Sequence, residues 1–251
     1  MLYASMTLPD SPNVLEKPPI ILVHGAANSG GIWHFWQRAF SRAGYTSYAL
    51  DLRGHGRSHA VDLSRTTMEA YASDVLAVVS RLGRRPVLMG WSMGGLVSLM
   101  AVHRARAIAW VGLESSVPAL TRRDVQPRDG VFGAEAFGIS APDPNDQPQM
   151  PDLGYSERVL ALSTLCQESL HARDERHAGI VVDDPGCPLL VIAARADYAQ
   201  ENYGTFPMRH ELQVFPGVSH WGLVLKEDAV ESISRLVLRW LQTSLDEPES
   251  Q

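Results

Sequence analysis

Four short stretches of this chain are almost wholly apolar: Ile20 to Val23, Val87 to Met89, Ile108 to Leu113 and Leu189 to Ala193. Runs of this length without polar alternation predict strands buried on both faces, as in a parallel sheet covered by helices. Between and after them the apolar positions recur at helical spacing. Ile32, Trp33, Trp36 and Phe40 form one stripe, stopped by Gly44. Met68, Tyr71, Ala72, Val75, Val79 and Leu82 form a second, running to Gly83 and opened by a Thr66-x-x-Glu69 capping box. Leu96 to Ala101 begins a third helix, and Ala229, Val230, Ile233, Leu236, Val237, Trp240 and Leu241 stripe a closing one. Further strands are expected at Leu2 to Leu8, Val14 to Glu16, Tyr48 to Leu50 and Leu212 to Phe215.

Strands alternating with helices predict an α/β architecture, a mostly parallel doubly wound sheet with helices on both faces. Chemistry in such sheets collects at the carboxyl ends of the strands. Ala26, Ser92, Asp197 and His220 all fall in loops directly after predicted strands. Ser92 stands in Gly90-Trp91-Ser92-Met93-Gly94-Gly95 between a strand and a helix, the Gly-x-Ser-x-Gly pattern of a nucleophile elbow. The chain must reverse there within a few residues, and glycines two positions to either side remove the Cβ atoms that would collide.

The net charge of −6 carries no long basic run, which argues against nucleic acid or anionic membrane partners. No segment approaches the ~20 apolar residues of a membrane span. Met1 to Lys17 lacks the basic start and apolar core of a signal peptide, so a cytoplasmic location is the expectation. Cys166 and Cys187 are expected as free thiols. With no HExxH and no paired-cysteine ligand set, no metal is expected; neither a P-loop nor a dinucleotide-binding glycine pattern is present, and no cofactor is expected.

Taken together, the His24-Gly25-Ala26 loop, the Asp51-Leu52-Arg53-Gly54-His55-Gly56-Arg57-Ser58 turn, the elbow and Gly217-Val218-Ser219-His220 resemble the α/β-hydrolases over nearly the whole chain. The resemblance implies a core formed by residues 1–117 and 186–251, with a cap inserted at 118–185. It implies Ser92 as nucleophile, His220 as general base and later acid, and Asp197 as the carboxylate that orients the imidazole. Glu114, after the strand that follows the elbow helix, is the second candidate for that carboxylate. The backbone N–H groups of Ala26 and Met93 would form the oxyanion hole. His24 and His55 are expected to be structural, and Asp51 to anchor its turn.

Trp91 and Trp221, each beside a proposed catalytic residue, are expected at the substrate pocket, with Phe132, Phe137, Met150, Leu153 and Tyr155 as apolar contacts from the cap. The implied activity is a cofactor-free serine hydrolase of the esterase or lactonase kind, acting on a small-molecule ester or lactone through an acyl-enzyme. A serine rather than an aspartate at the elbow argues against dehalogenase or epoxide hydrolase chemistry. A carbon–carbon bond hydrolase, an acyltransferase, and a ligand-binding scaffold with negligible turnover are the alternatives. Oligomeric state is not legible.

Overall fold

The computed structural model describes residues 1–11, 17–139 and 142–246. In chain order these form β1 (Tyr3–Thr7), β2 (Ile20–Val23), α1 (His34–Arg42, entered through a 3-10 turn at Gly30–Trp33), β3 (Ser47–Asp51) and α2 (Met68–Val79). Then come β4 (Val87–Trp91), α3 (Met93–Ala105) and β5 (Ala109–Leu113). Residues 118–185 carry β6 (Val131–Phe132), α4 (Tyr155–Ser163), β7 (Glu168–Ser169) and α5 (Leu170–Ala178). The chain ends with β8 (Leu189–Ala193), α6 (Ala196–Tyr203), β9 (Glu211–Val214), α7 (Gly222–Leu225) and α8 (Glu227–Asp246).

Seven strands form one sheet in the order β1-β3-β2-β4-β5-β8-β9. Only β1 runs antiparallel, at the edge; the remaining pairings are parallel. Because successive side chains of a strand point to opposite faces, each apolar run divides itself between two cores. Ile20, Leu22, Met89, Val111 and Ile192 join Trp36, Phe40 and Trp240 on the side covered by α1 and α8. Ile21, Val23, Leu88, Trp110 and Val191 pack with Tyr71, Leu96 and Val102 on the side of α2 and α3. This two-sided burial is why no strand in the middle of the sheet shows polar alternation. The edge strand β9 is exposed at all four positions.

Two details differ from the sequence expectation. The N-cap of α2 is Thr67, whose hydroxyl accepts from the Ala70 N–H, and no capping box starts at Thr66. The Thr66 hydroxyl instead donates to the Asp62 carbonyl and closes the 3-10 turn Leu63–Arg65. The helix itself stops at Val79, with Leu82 in a short turned segment. The strand expected at Val14 to Glu16 lies outside the described residues. Cys166 and Cys187 are both free. Among the described residues, no helix is long and apolar enough to cross a membrane.

β6 and β7 pair only with each other, so the inserted segment has its own two-stranded sheet. Its second half is tied to the core. Thr164 Oγ1 donates to Asn28 Oδ1, the Cys166 N–H bonds the Ala27 carbonyl, Ser169 Oγ donates to the Thr66 carbonyl and Glu175 accepts from the Met68 N–H.

Candidate active site

The elbow takes the form that its glycines permit. Ser92 stands between β4 and α3 at φ 56°, ψ −124°, a conformation L-residues rarely adopt. Its N–H donates to the Leu113 carbonyl, and its own carbonyl accepts from Gly95 and Ser116, so neighbouring backbone fixes the strained residue. A Cβ on Gly90 would lie 2.2 Å from the Gly94 carbonyl oxygen. One on Gly94 would lie 2.2 Å from the His24 oxygen and 2.3 Å from that of Val23. These obstacles are backbone atoms, which cannot rotate aside. Gly94→Ala is therefore expected to destabilise the fold by about 3 kcal/mol, at the upper end of overpacking penalties, read as a lowered urea midpoint with an unaltered m-value.

His220 follows β9 and precedes α7. The Trp91 indole N–H donates to its carbonyl at 3.1 Å, and the two rings lie 4.8 Å apart. Its Nδ1 is 2.7 Å from Glu114 Oε2. Glu114 is nearly enclosed, at 7% side-chain exposure, and its other oxygen accepts the Ala194 N–H at 2.8 Å. Burial alone would push this carboxyl up. The hydrogen bond and charge of His220, with the Ala194 N–H, outweigh that and hold it below the usual glutamate range. An ionised Glu114 accepts only, so it selects the tautomer with the proton on Nδ1 and leaves Nε2 with its lone pair.

Asp197 is not the partner of His220, which corrects the sequence assignment. β8 ends at Ala193 and α6 begins at Ala196, so residue 197 already lies in the first helical turn. Its side chain is 70% exposed and sits 3.5 Å from the Arg195 guanidinium, in a place that favours acidic residues for the helix dipole. The sequence nevertheless carries a signal for Glu114. A carboxylate directly after five buried apolar residues must find a buried partner.

Ser92, Glu114 and His220 line one cleft of about 750 Å3, together with Phe137, Arg176 and Tyr198. The Ser92 hydroxyl makes no hydrogen bond among the described residues, so Ser92 and His220 share the cleft without a direct bond between them. Phe137 forms part of the wall of this cleft. Phe132 stands behind it at 5.7 Å between ring centroids. Trp91 and Trp221 are buried and pack on each other at 5.1 Å, supporting the His220 loop from beneath instead of lining the cleft. Met150 and Leu153 are buried in the core and Tyr155 is exposed. A second cavity of about 770 Å3, between Leu120, Pro185 and Met208, contains none of the catalytic candidates.

The loop that carries Ala26 packs against the elbow: a Cβ on Gly25 would come 3.1 Å from Ser92 Cβ and 2.7 Å from the Trp91 ring. The Met93 N–H, in the first turn of α3, has no intrahelical acceptor. Ala27, at φ 56°, donates its N–H to Glu168 Oε2 at 3.2 Å. Glu168 comes from the inserted segment and is wholly buried. Its Oε1 accepts from the Tyr71 hydroxyl at 2.5 Å and from the Ser169 N–H at 2.7 Å. His55 Nε2 lies 3.3 Å from Oε2, close enough for an ion pair though not aligned as a hydrogen bond. Burial would raise the Glu168 carboxyl, but the neighbouring His55, Tyr71 and Ser169 pull it down to about 2. Burial likewise opposes charge on His55, and the Glu168 carboxylate overrides it and holds the imidazole above its ordinary value. His24, 5.0 Å from His55, is pushed down to about 3 by burial and by that neighbouring charge.

His24 and His55 are both buried behind the loops that carry them. Asp51 accepts from the Gly30 N–H at 2.5 Å and the Arg57 N–H at 2.8 Å, joining two loops.

Comparison with known proteins agrees with this architecture. The model of the alpha/beta hydrolase family matches residues 20–233. A caffeoylshikimate esterase of Arabidopsis thaliana is 32% identical over 208 residues, covering 75% of this chain and 58% of the relative. A pimeloyl-[acyl-carrier protein] methyl ester esterase of Aeromonas hydrophila is 30% identical over 162 residues, 64% of this chain and 58% of the relative. The matched stretches thus span somewhat over half the length of these two relatives. Among solved structures, an esterase from Thermogutta terrifontis superposes with a TM-score of 0.67 at 20% identity, covering 97% of this chain and 93% of that one. With the sheet order, the strained elbow and the matched span in agreement, the chain belongs to the alpha/beta hydrolase family.

Proposed function

We propose that the protein hydrolyses carboxylic esters of small molecules through an acyl-enzyme on Ser92. The observation that carries this reading is the 2.7 Å contact of Glu114 with His220 in the same cleft as the elbow serine. Ser92 Oγ attacks the ester carbonyl while His220 Nε2 takes its proton. The tetrahedral oxyanion is held by the N–H groups of Ala26 and Met93, donors that contribute roughly 3–4 kcal/mol each in related chemistry. As the carbonyl re-forms, the bond to the alkoxy oxygen breaks and His220 returns the proton to that leaving group. Water then attacks the acyl-enzyme, giving its proton to His220, and Ser92 departs with a proton as the acid is released. Glu114 stabilises the imidazolium in both halves. Residues 118–185 serve as the cap that shapes the cleft.

The relatives named as esterases support the reaction class, and lactones fit the same steps because the leaving alkoxide stays tethered to the acyl group. A fluorophosphonate probe is expected to label the wild type stoichiometrically and the Ser92→Ala protein not at all, measured by intact mass. p-Nitrophenyl butyrate turnover should vanish with the label. Labelling of another residue, or turnover that survives in Ser92→Ala, would refute the assignment. A labelled enzyme that transfers acyl groups to added alcohols faster than to water would be an acyltransferase.

A further inference from the structure

One cation in the cleft has no anion among the described residues. Arg176, on the face of α5 that lines the cleft with Ser92 and His220, reaches the Ser116 hydroxyl from Nη1 at 3.3 Å. No carboxylate among the described residues comes within ion-pair distance of it. The other arginines around it are engaged. Arg128 forks onto Asp174, Arg122 lies 3.9 Å from Glu175, Arg173 covers the Phe132 ring and Arg195 faces Asp197.

The acidic groups near the cleft are also committed elsewhere. Asp174 and Glu175 are held as just described, and Glu114 is divided between His220 and the Ala194 N–H. Burial pushes the half-buried Arg176 guanidinium down from its usual range, and the Glu168 carboxylate, beyond ion-pair distance and itself held by Tyr71 and the Ala27 N–H, offsets this only in part. A guanidinium stays protonated nonetheless, and its planar fork matches the two oxygens of a carboxylate.

We propose that Arg176 receives a carboxylate carried by the substrate, so that the cleft takes half-esters of dicarboxylic acids. This rests on the hydrolase reading above and specifies its substrate. Ser92 attacks the esterified end while the free carboxylate sits against Arg176. The ester carbon–oxygen bond breaks, water supplies the hydroxyl of the new acid, and a dicarboxylate leaves with the alcohol.

The test compares monoethyl adipate with ethyl hexanoate, which share the acyl chain length and differ in the terminal carboxylate, by acid release at constant pH. Wild type should favour the half-ester by about tenfold or more in kcat/KM, the size of one charge-assisted contact. Arg176→Met should remove that ratio chiefly through KM, and Arg176→Lys, with charge but no fork, should restore part of it. A second readout needs no turnover: free adipate should raise the melting temperature of wild type and not of Arg176→Met.

A wild type that favours the neutral ester, or an Arg176→Met protein with an unaltered ratio, would overturn the proposal. So would stabilisation by inorganic phosphate without stabilisation by adipate. Should adipate stabilise in an Arg176-dependent way while neither ester is cleaved, the binding site stands and the hydrolase reading fails. Turnover of ethyl hexanoate with no response to adipate upholds the hydrolase and overturns the carboxylate site. Circular dichroism of both variants shows whether a lost ratio reflects a lost fold.

Discussion

Glu114→Gln is expected to lower kcat/KM by roughly 10^3- to 10^4-fold, and Asp197→Asn to leave it within about threefold. The first figure follows from tautomer control. A carboxylate only accepts hydrogen bonds and keeps the proton on His220 Nδ1, whereas an amide can present its NH2 to that nitrogen and move the proton to Nε2. Nε2 would then have no lone pair with which to take the serine proton. The substitution preserves shape, and the oxygen facing the Ala194 N–H can be retained, so the melting temperature should move little while activity collapses. Asp197 faces solvent and Arg195, so its amide alters only an exposed pair of small energetic weight. An inactive Asp197→Asn beside an active Glu114→Gln would restore the assignment that the sequence suggests.

Glu168→Ala carries the largest expected effect on stability, about 3–5 kcal/mol, because it leaves the buried Tyr71 hydroxyl and the Ala27 N–H without their acceptor and takes the neighbouring carboxylate from His55. Urea unfolding at pH 7 reads it directly. Acid dependence gives a second signature. The Glu168 carboxyl is held at about 2 against an ordinary 4.5, so its stabilisation is fully present above 4.5 and is lost as the pH falls toward 2. His55 is held above its ordinary 6.5, so its share is fully present below 6.5 and is lost as the pH rises through its folded value. His24, held at about 3 against an ordinary 6.5, favours the fold fully above 6.5 and loses that share as the pH falls. Wild type should therefore lose melting temperature below about 6.5 through His24 and then Glu168, and on the alkaline side through His55. Glu168→Gln should be less stable near neutrality, with a shallower fall below pH 4.5 and on the alkaline side. Parallel curves for the two proteins would show that this pair does not set the pH response.

The central strands were legible because burial on both faces removes polar alternation, and Leu189 to Ala193 coincides with β8 residue for residue. The α1 and α8 stripes were equally plain, since a helix with one covered face repeats its apolar positions at each turn. Boundaries set by a single hydroxyl were not. Thr66 and Thr67 are adjacent and alike, and which of them caps α2 depends on Asp62 offering a carbonyl to the first. Ser92 and His220 could be located at the carboxyl end of the sheet because each follows a strand and stands close to a glycine. The carboxylate could not, because Asp197 and Glu114 both follow strands and only the distance across the sheet end separates them. The role of Glu168 was invisible. It stands 97 residues from Tyr71 and 141 from Ala27, and nothing in its local sequence marks it as buried.

The burial of Glu168 also bears on how a ligand enters. Residues 118–185, if they swung away as one rigid plate, would have to drag this side chain from its socket, leaving the Tyr71 hydroxyl and the Ala27 N–H without their acceptor and freeing the loop beside Ser92. β7 and the start of α5 should therefore stay in place as a fixed doorpost while other parts of the cleft rim give way.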